Sequence, residues 1–228
     1  MPLTSVGKVK KHLGISASDT SQDEFLAQLL SAVEYAFAHL TDRSLELQDY
    51  TCFLSGKGGK VLLLPEYPVV SITGVWLDEA GYWGQAPNAF GDATLLTQGV
   101  DYALVKDGRD GEAETGRLLK INGVWSGKWV SVAGLLTPQL RPGQGNVRVE
   151  YAAGFDPIPD DVQLCLWQTI AQLRAERTSG RPLQSENFED FGYVNAFEDA
   201  KALMMRPGSI QQVVAKYRRI RKRHEVLG

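Results

Sequence analysis

The sequence has little of what most catalytic and cross-linked proteins are built from: two cysteines, three histidines and three methionines in 228 residues. Cys52 and Cys165 stand 113 positions apart and form no CxxC or Cys/His cluster, so they read as small core hydrophobes in a reducing compartment. His12, His39 and His224 fall on three separate helical stretches, and no GxSxG or HExxH pattern accompanies them. No catalytic, cofactor-binding or metal-ligating residue is therefore assigned. No apolar run approaches the ~18 residues that cross a bilayer. Pro2, Lys8, Lys10 and Lys11 occupy the place where a secretion signal needs its apolar segment, so the expectation is a chain made and kept in a cytosol, away from membranes. An excess of cations is lacking too. With 24 Lys/Arg against 27 Asp/Glu, a net charge of -3 excludes a generally basic nucleic-acid coat, though not a local basic patch.

What is present is a globular composition, 43% apolar and 22% charged. The length fits one domain with an elaboration, or two small ones, and can bury a core without disulfide or metal staples. Charge is unevenly spread. Residues 209–228 hold six Lys/Arg and one acid, a surplus of +5, which leaves -8 on the rest.

Periodicity divides the chain. Leu3, Val6, Val9 and Leu13 predict a short helix over Thr4–Leu13, capped by Thr4 and closed by Gly14. An S-x-x-E box at Ser21 and Glu24 predicts the start of a longer one, with Phe25, Leu26, Leu29, Leu30, Val33, Phe37 and Leu40 along one stripe. From Tyr50 to Tyr151 about six β-prone runs alternate with turn clusters, the pattern of an antiparallel meander. Asp160 and Asp161 then open a helix with Val162, Cys165, Leu166, Thr169, Ile170 and Leu173 inward. An S-x-x-Q box at Ser209 and Gln212 predicts a last helix, its face formed by Ile210, Val213, Val214, Tyr217 and Ile220 and its later turns cationic.

The fold class expected is α+β: a small helical bundle (1–49 and 152–183) with an inserted antiparallel β-meander domain (50–151), a mobile linker (184–208) and a basic C-terminal helical arm (209–228). The arm's expected docking residues are Ile210, Val213, Val214, Tyr217, Arg218, Arg219, Ile220, Arg221, Lys222 and Arg223. An apolar face with a cationic end suits a protein groove of opposite charge, or phosphate neutralisation on nucleic acid. Removing 209–228 is expected to abolish partner binding and leave the core folded.

Three other stretches invite functional readings. Gly56-Lys57-Gly58-Gly59-Lys60 lacks the Ser/Thr and following helix of a phosphate loop and reads as a hairpin turn. Asp107–Glu112 carries Arg109 in its middle and lacks the alternating oxygen ligands of a calcium loop, so it reads as a strand-to-strand turn. Trp76, Trp83, Trp125 and Trp129 could form a stacking platform for a sugar or a base, or could fill a small sheet's core; Trp83 and Trp129, among glycines, are expected to be exposed.

The order of parts resembles the head–tail connector (adaptor, or head-completion) proteins of tailed bacteriophages, in their longer form with a β-insertion. Leu3-Thr4-Ser5-Val6 through Ile15, followed by Asp23–Arg43 ending in Thr41-Asp42-Arg43, is similar to the family's entry segment and first long helix. Leu64-Pro65 with Pro68-Val69-Val70-Ser71-Ile72-Thr73-Gly74-Val75 resembles its "L-P-x-x-P-V-x-S-I-x-x-V" strand. Tyr151-Ala152-Ala153-Gly154-Phe155 with Ile158-Pro159-Asp160-Asp161-Val162 resembles "Y-x-A-G-Y…I-P-x-D-L", where the second long helix begins. The likeness runs over most of residues 3–180, while 78–100 and 122–145 match no pattern.

The resemblance implies a non-enzymatic virion protein without cofactors, placed at the head–tail interface and present in the bacterial host cytoplasm during assembly. It implies a ring of copies, usually twelve, beneath a portal protein that the C-terminal arm engages. A stopper or tail-completion protein would sit below, and genomic DNA would pass through the lumen without sequence-specific contact. The alternatives from the residues themselves are a module recognising carbohydrate or a host surface through its tryptophans, and a nucleic-acid binder acting through the basic tail.

Overall fold

The computed structural model describes residues 3–79, 88–125, 129–130, 139–140, 143–178 and 193–219. The fold is α+β and divides into two compact units, Met1–Glu46 with Asp156–Gly228, and Leu47–Phe155.

The first unit is helical: α1 (Val6–His12), α2 (Asp23–Thr41), α3 (Asp160–Thr178), α4 (Tyr193–Met205) and α5 (Ser209–Tyr217). Its centre is the stripe of α2, where Leu26, Leu29, Leu30, Val33 and Phe37 are buried, faced by Val162, Cys165, Leu166, Ile170 and Leu173 of α3. The helix starts differ from the capping patterns. Ser5, not Thr4, caps α1 by accepting from the Lys8 N–H at 3.4 Å. Thr4 is buried instead, its hydroxyl accepting from the Trp167 indole N–H at 3.0 Å. Ser21 donates to Asp19 at 2.6 Å and leaves α2 with no side-chain cap; Ser209 is already the first residue of α5, after Gly208 at φ 154°. Lys10, 4% exposed, ties α1 to the start of α2 through Asp23 at 2.7 Å.

α4 lies within the expected mobile linker 184–208 and corrects it. Ala196, Ala200, Leu203 and Met204 are buried at helical spacing, and Tyr35 and His39 of α2 pack on Phe197 at 5.1 and 5.7 Å. The polar stretch Gln184–Gly192 lies outside the described residues.

The second unit holds β1 (Gln48–Leu54), β2 (Val61–Leu63), β3 (Val69–Leu77), β4 (Tyr102–Leu104), β5 (Arg117–Lys120), β6 (Trp129–Val130), β7 (Gln139–Leu140) and β8 (Val147–Ala153). They pair antiparallel in three small sheets ordered β1-β8-β3, β2-β5-β4 and β6-β7. The chain order is not that of a plain meander, because the last strand lies between the first and third. The Gly56–Lys60 turn accordingly carries the chain from one sheet to the next and closes no hairpin. Asp107–Gly116 does close one, between β4 and β5, with Asp107 accepting from Thr115.

Strand alternation builds this unit's core from Val147, Val149, Tyr151 and Ala153 of β8, Val75 and Leu77 of β3, and Leu118 and Trp125. Asn146, fully buried, stands in for missing backbone pairing at the sheet end. Its Oδ1 accepts from the Gly56 N–H at 2.9 Å and its Nδ2 donates to the Asp78 carbonyl at 3.1 Å.

Candidate functional site

No helix among the described residues is long and apolar enough to cross a membrane, and none of their His, Cys, Asp and Glu side chains form a group of three that could hold a metal. Burial pushes the thiols of Cys52 and Cys165 up to about 12, so both stay protonated and unreactive at neutral pH. Two surfaces stand out among the described residues.

The first surface is the C-terminal arm. Ile210, Val214 and Tyr217 are 7%, 7% and 6% exposed, turned into the helical unit against α2, α3 and α4, and Val213 is half-buried. The Tyr217 ring packs 6.5 Å from Phe37, the Tyr217 hydroxyl donates to Asp161 at 2.8 Å, and Lys216 pairs with the same carboxylate at 2.7 Å. Burial works against the charge on Asp161, but the hydrogen bonds from Lys216 and Tyr217 outweigh it and hold the carboxyl below its usual range. The Asp161 hydrogen bond raises Lys216 in turn.

The apolar side of the expected docking helix is thus occupied by its own unit. The helix also ends at Tyr217, before the cationic run, because Arg218 turns to extended backbone (φ -64°, ψ 137°) and the Arg219 N–H donates to the Thr41 carbonyl at 2.8 Å. Arg218 is exposed and Arg219 half-buried; Ile220, Arg221, Lys222 and Arg223 lie outside the described residues. Deleting 209–228 would therefore strip three core side chains, contrary to the expectation of an intact core.

The second surface is the outer face of the β1-β8-β3 sheet. Phe53 lies opposite Arg148, Arg148 opposite Trp76, and Trp76 bridges to Leu95, so four side chains stand in one row across the sheet. Phe53 is 54% and Leu95 45% exposed, and Phe90 packs on Phe53 at 5.6 Å. The Arg148 guanidinium lies 4.7 Å from the Trp76 ring and pairs with Glu150. Gly74 makes room for that ring: a Cβ there would stand 2.3 Å from Trp76 Cη2. Sequence periodicity missed this row, because its members belong to four separate segments.

Trp76 and Trp125 do not share a platform. Trp125 is 1% exposed in the core with its indole N–H donating to the Leu118 carbonyl at 3.2 Å, and Trp76 is covered in part by Arg148. Trp83 and the Trp129 side chain lie outside the described residues.

Both units together are similar to solved particle structures. One chain in the neck of an empty GTA particle, computed with C6 symmetry, matches at TM-score 0.50 and 18% identity over 96% of this chain and 91% of its own. A chain from the virion of the native gene transfer agent (GTA) particle matches at TM-score 0.48 and 19% identity, over 96% and 91%. A third, from the neck of the native GTA particle computed with C12 symmetry, matches at 0.45 and 18% over 95% and 89%. No family model matches the chain, and no curated protein does. At such identity the first of these likenesses shows a shared fold. It extends through both the helical and the β-rich unit, so the β-rich region belongs to the architecture that the two chains share.

Proposed function

We propose that this protein is a structural, non-enzymatic component of a phage-like virion, one copy in a ring adaptor between a portal and a stopper or tail-completion protein. The observation that carries the reading is the match over 96% of the chain to a protein of a particle neck solved with C6 symmetry. The ordered segments at Leu3–Arg43, Leu64–Val75 and Tyr151–Val162, each resembling phage adaptors, support it independently. A closed ring with a rotation axis matched to a portal, of twelve copies in the family the sequence resembles, brings identical heterologous contacts around the axis.

Genomic DNA would pass through the lumen. The surplus of acid over residues 1–208, -8 in all, suits a wall that must not grip phosphate, since like charges repel a polyanion. Portal docking falls to Arg218, Arg219, Ile220, Arg221, Lys222 and Arg223, with Ile210, Val213, Val214 and Tyr217 fixing the root of that segment on the helical unit. The site of action is then the virion's head–tail interface, reached by assembly in the bacterial host cytoplasm. The test is co-sedimentation of the purified chain with cognate DNA-filled heads that lack it. Stoichiometric attachment that restores tail joining supports the reading, and failure to attach to heads or to purified portal defeats it.

A further inference from the structure

Alternation along β5 places a lysine where the core expects an apolar side chain. Arg117 is exposed, Leu118 is fully buried, and Lys120, two positions on, is 8% exposed on the same inward side. Its ammonium lies 5.6 Å from the centroid of the buried Trp125 ring. Among the described residues its ammonium has no hydrogen bond and no ion pair, and the Trp125 ring is the aromatic face it meets. An ammonium beside a π face keeps its N–H donors for an oxygen acceptor.

Lys120 lines a cleft of about 760 Å³ in the β-rich unit, together with Leu77, Asp78, Thr94, Asp101 and Asn122. That volume lies within the range that small-molecule sites occupy, roughly 300–1,000 Å³. The wall mixes signs. Asp101 holds the Thr97 N–H at 2.8 Å through one oxygen, leaving its other oxygen to accept. No carboxylate among the described residues comes within ion-pair distance of the Lys120 ammonium, and Asp101 and Lys120 line the same cleft.

From this juxtaposition we infer that the cleft binds an uncharged, hydroxyl-rich ligand of saccharide size, with Lys120 donating to its oxygens while Asp101 accepts from its hydroxyls. A phosphate or carboxylate could accept from Lys120 but would face Asp101, and a cation would satisfy Asp101 and oppose the lysine. A vicinal diol both accepts and donates, and so fits both. Leu77 and Leu96 give its carbon face an apolar floor. This site is separate from the tryptophan row on the sheet's outer face, and it stands whether or not the protein occupies a particle neck.

The experiment is saturation-transfer NMR on the whole chain with glucose, N-acetylglucosamine, rhamnose and maltose at millimolar concentration, and inorganic phosphate as competitor. The expected result is transfer to at least one saccharide, undisturbed by phosphate. Lys120→Met should weaken it by about tenfold, the scale of one charge-assisted hydrogen bond. Lys120→Arg should retain part of it. Asp101→Asn, at a partly exposed position, supplies a second variant if Lys120→Met does not fold, and should also weaken binding. Transfer to none of the four saccharides, equal transfer in both variants, or displacement by phosphate would overturn the assignment.

Discussion

The Tyr217 hydroxyl donates to the Asp161 carboxylate at 2.8 Å, joining the last turn of α5 to the first turn of α3 across 56 residues of chain. Asp161 also receives Lys216 at 2.7 Å, so one half-buried carboxylate fixes the root of the C-terminal segment. Asp161→Ala should leave α1–α4 folded and loosen α5. Hydrogen exchange over 209–219 should speed up while exchange over 23–41 stays unchanged. Equal protection in both proteins would remove Asp161 from that role.

The same pair has a pH signature. The carboxyl of Asp161 is held below its ordinary value, so its contribution is present above the usual carboxylate range, near pH ~4, and is lost as pH falls through the lower folded-state value. Glu34 behaves in the opposite sense. Burial raises it, although the Thr4 N–H donates to it at 3.1 Å, so its ionised form is less favourable in the folded chain and the stability it contributes declines as pH rises through its folded-state value. Glu34→Gln keeps an acceptor for Thr4 and removes the charge. It should raise the melting temperature at pH 7 and leave it unchanged at pH 3; a loss at pH 7 would contradict this.

Gly74→Ala tests the row on the sheet. The new methyl would stand 2.3 Å from the Trp76 ring and must displace it from Arg148. A cost of about 1–3 kcal/mol is expected, the range of overpacking, together with a red shift in tryptophan emission as the ring turns to water. An unshifted spectrum would mean that Trp76 does not lie where the geometry puts it.

Asn146→Leu removes an acceptor for Gly56 and a donor for Asp78 at a fully buried site. Two backbone groups lose their partners, at about 1–3 kcal/mol each. Chemical denaturation should show the loss in the midpoint. Asn146→Asp would keep the acceptor and restore part of it; no difference between the two variants would argue against the bridge.

Much of this was legible in sequence where burial is one-sided. The stripes Leu26–Phe37 and Val162–Leu173 point to their helices because apolar residues at three and four leave no other regular solution. α4 was not legible. Its inward residues include Ala196 and Ala200, too small to stand out as a stripe. Ser21 and Ser209 had the spacing of caps, but a nearer acceptor, Asp19, holds Ser21, and the chain enters α5 through Gly208. For α5, the pattern Ile210, Val214, Tyr217 says that a face is buried and not against what; its own α2, α3 and α4 cover it. Lys120 was hidden for a different reason, since a lysine breaks the alternation that would mark it as inward. The Phe53–Arg148–Trp76–Leu95 row depends on register between distant segments, which no local period encodes.

The C-terminal segment divides into an anchor, Ile210, Val214 and Tyr217, and the residues that follow it. A chain ending after Arg219 keeps Ile210, Val214 and Tyr217 in place, so it should melt with the full chain yet fail to bind the cognate portal. Binding undiminished by that truncation would move the docking surface elsewhere.

Electron microscopy of the full chain mixed with its cognate portal would show the ring itself. A ring adaptor adds a closed ring of density on one end of the portal, coaxial with its channel and open at the centre to the width of DNA. Portal particles unchanged by the protein, or carrying density that blocks or ignores the axis, would contradict it.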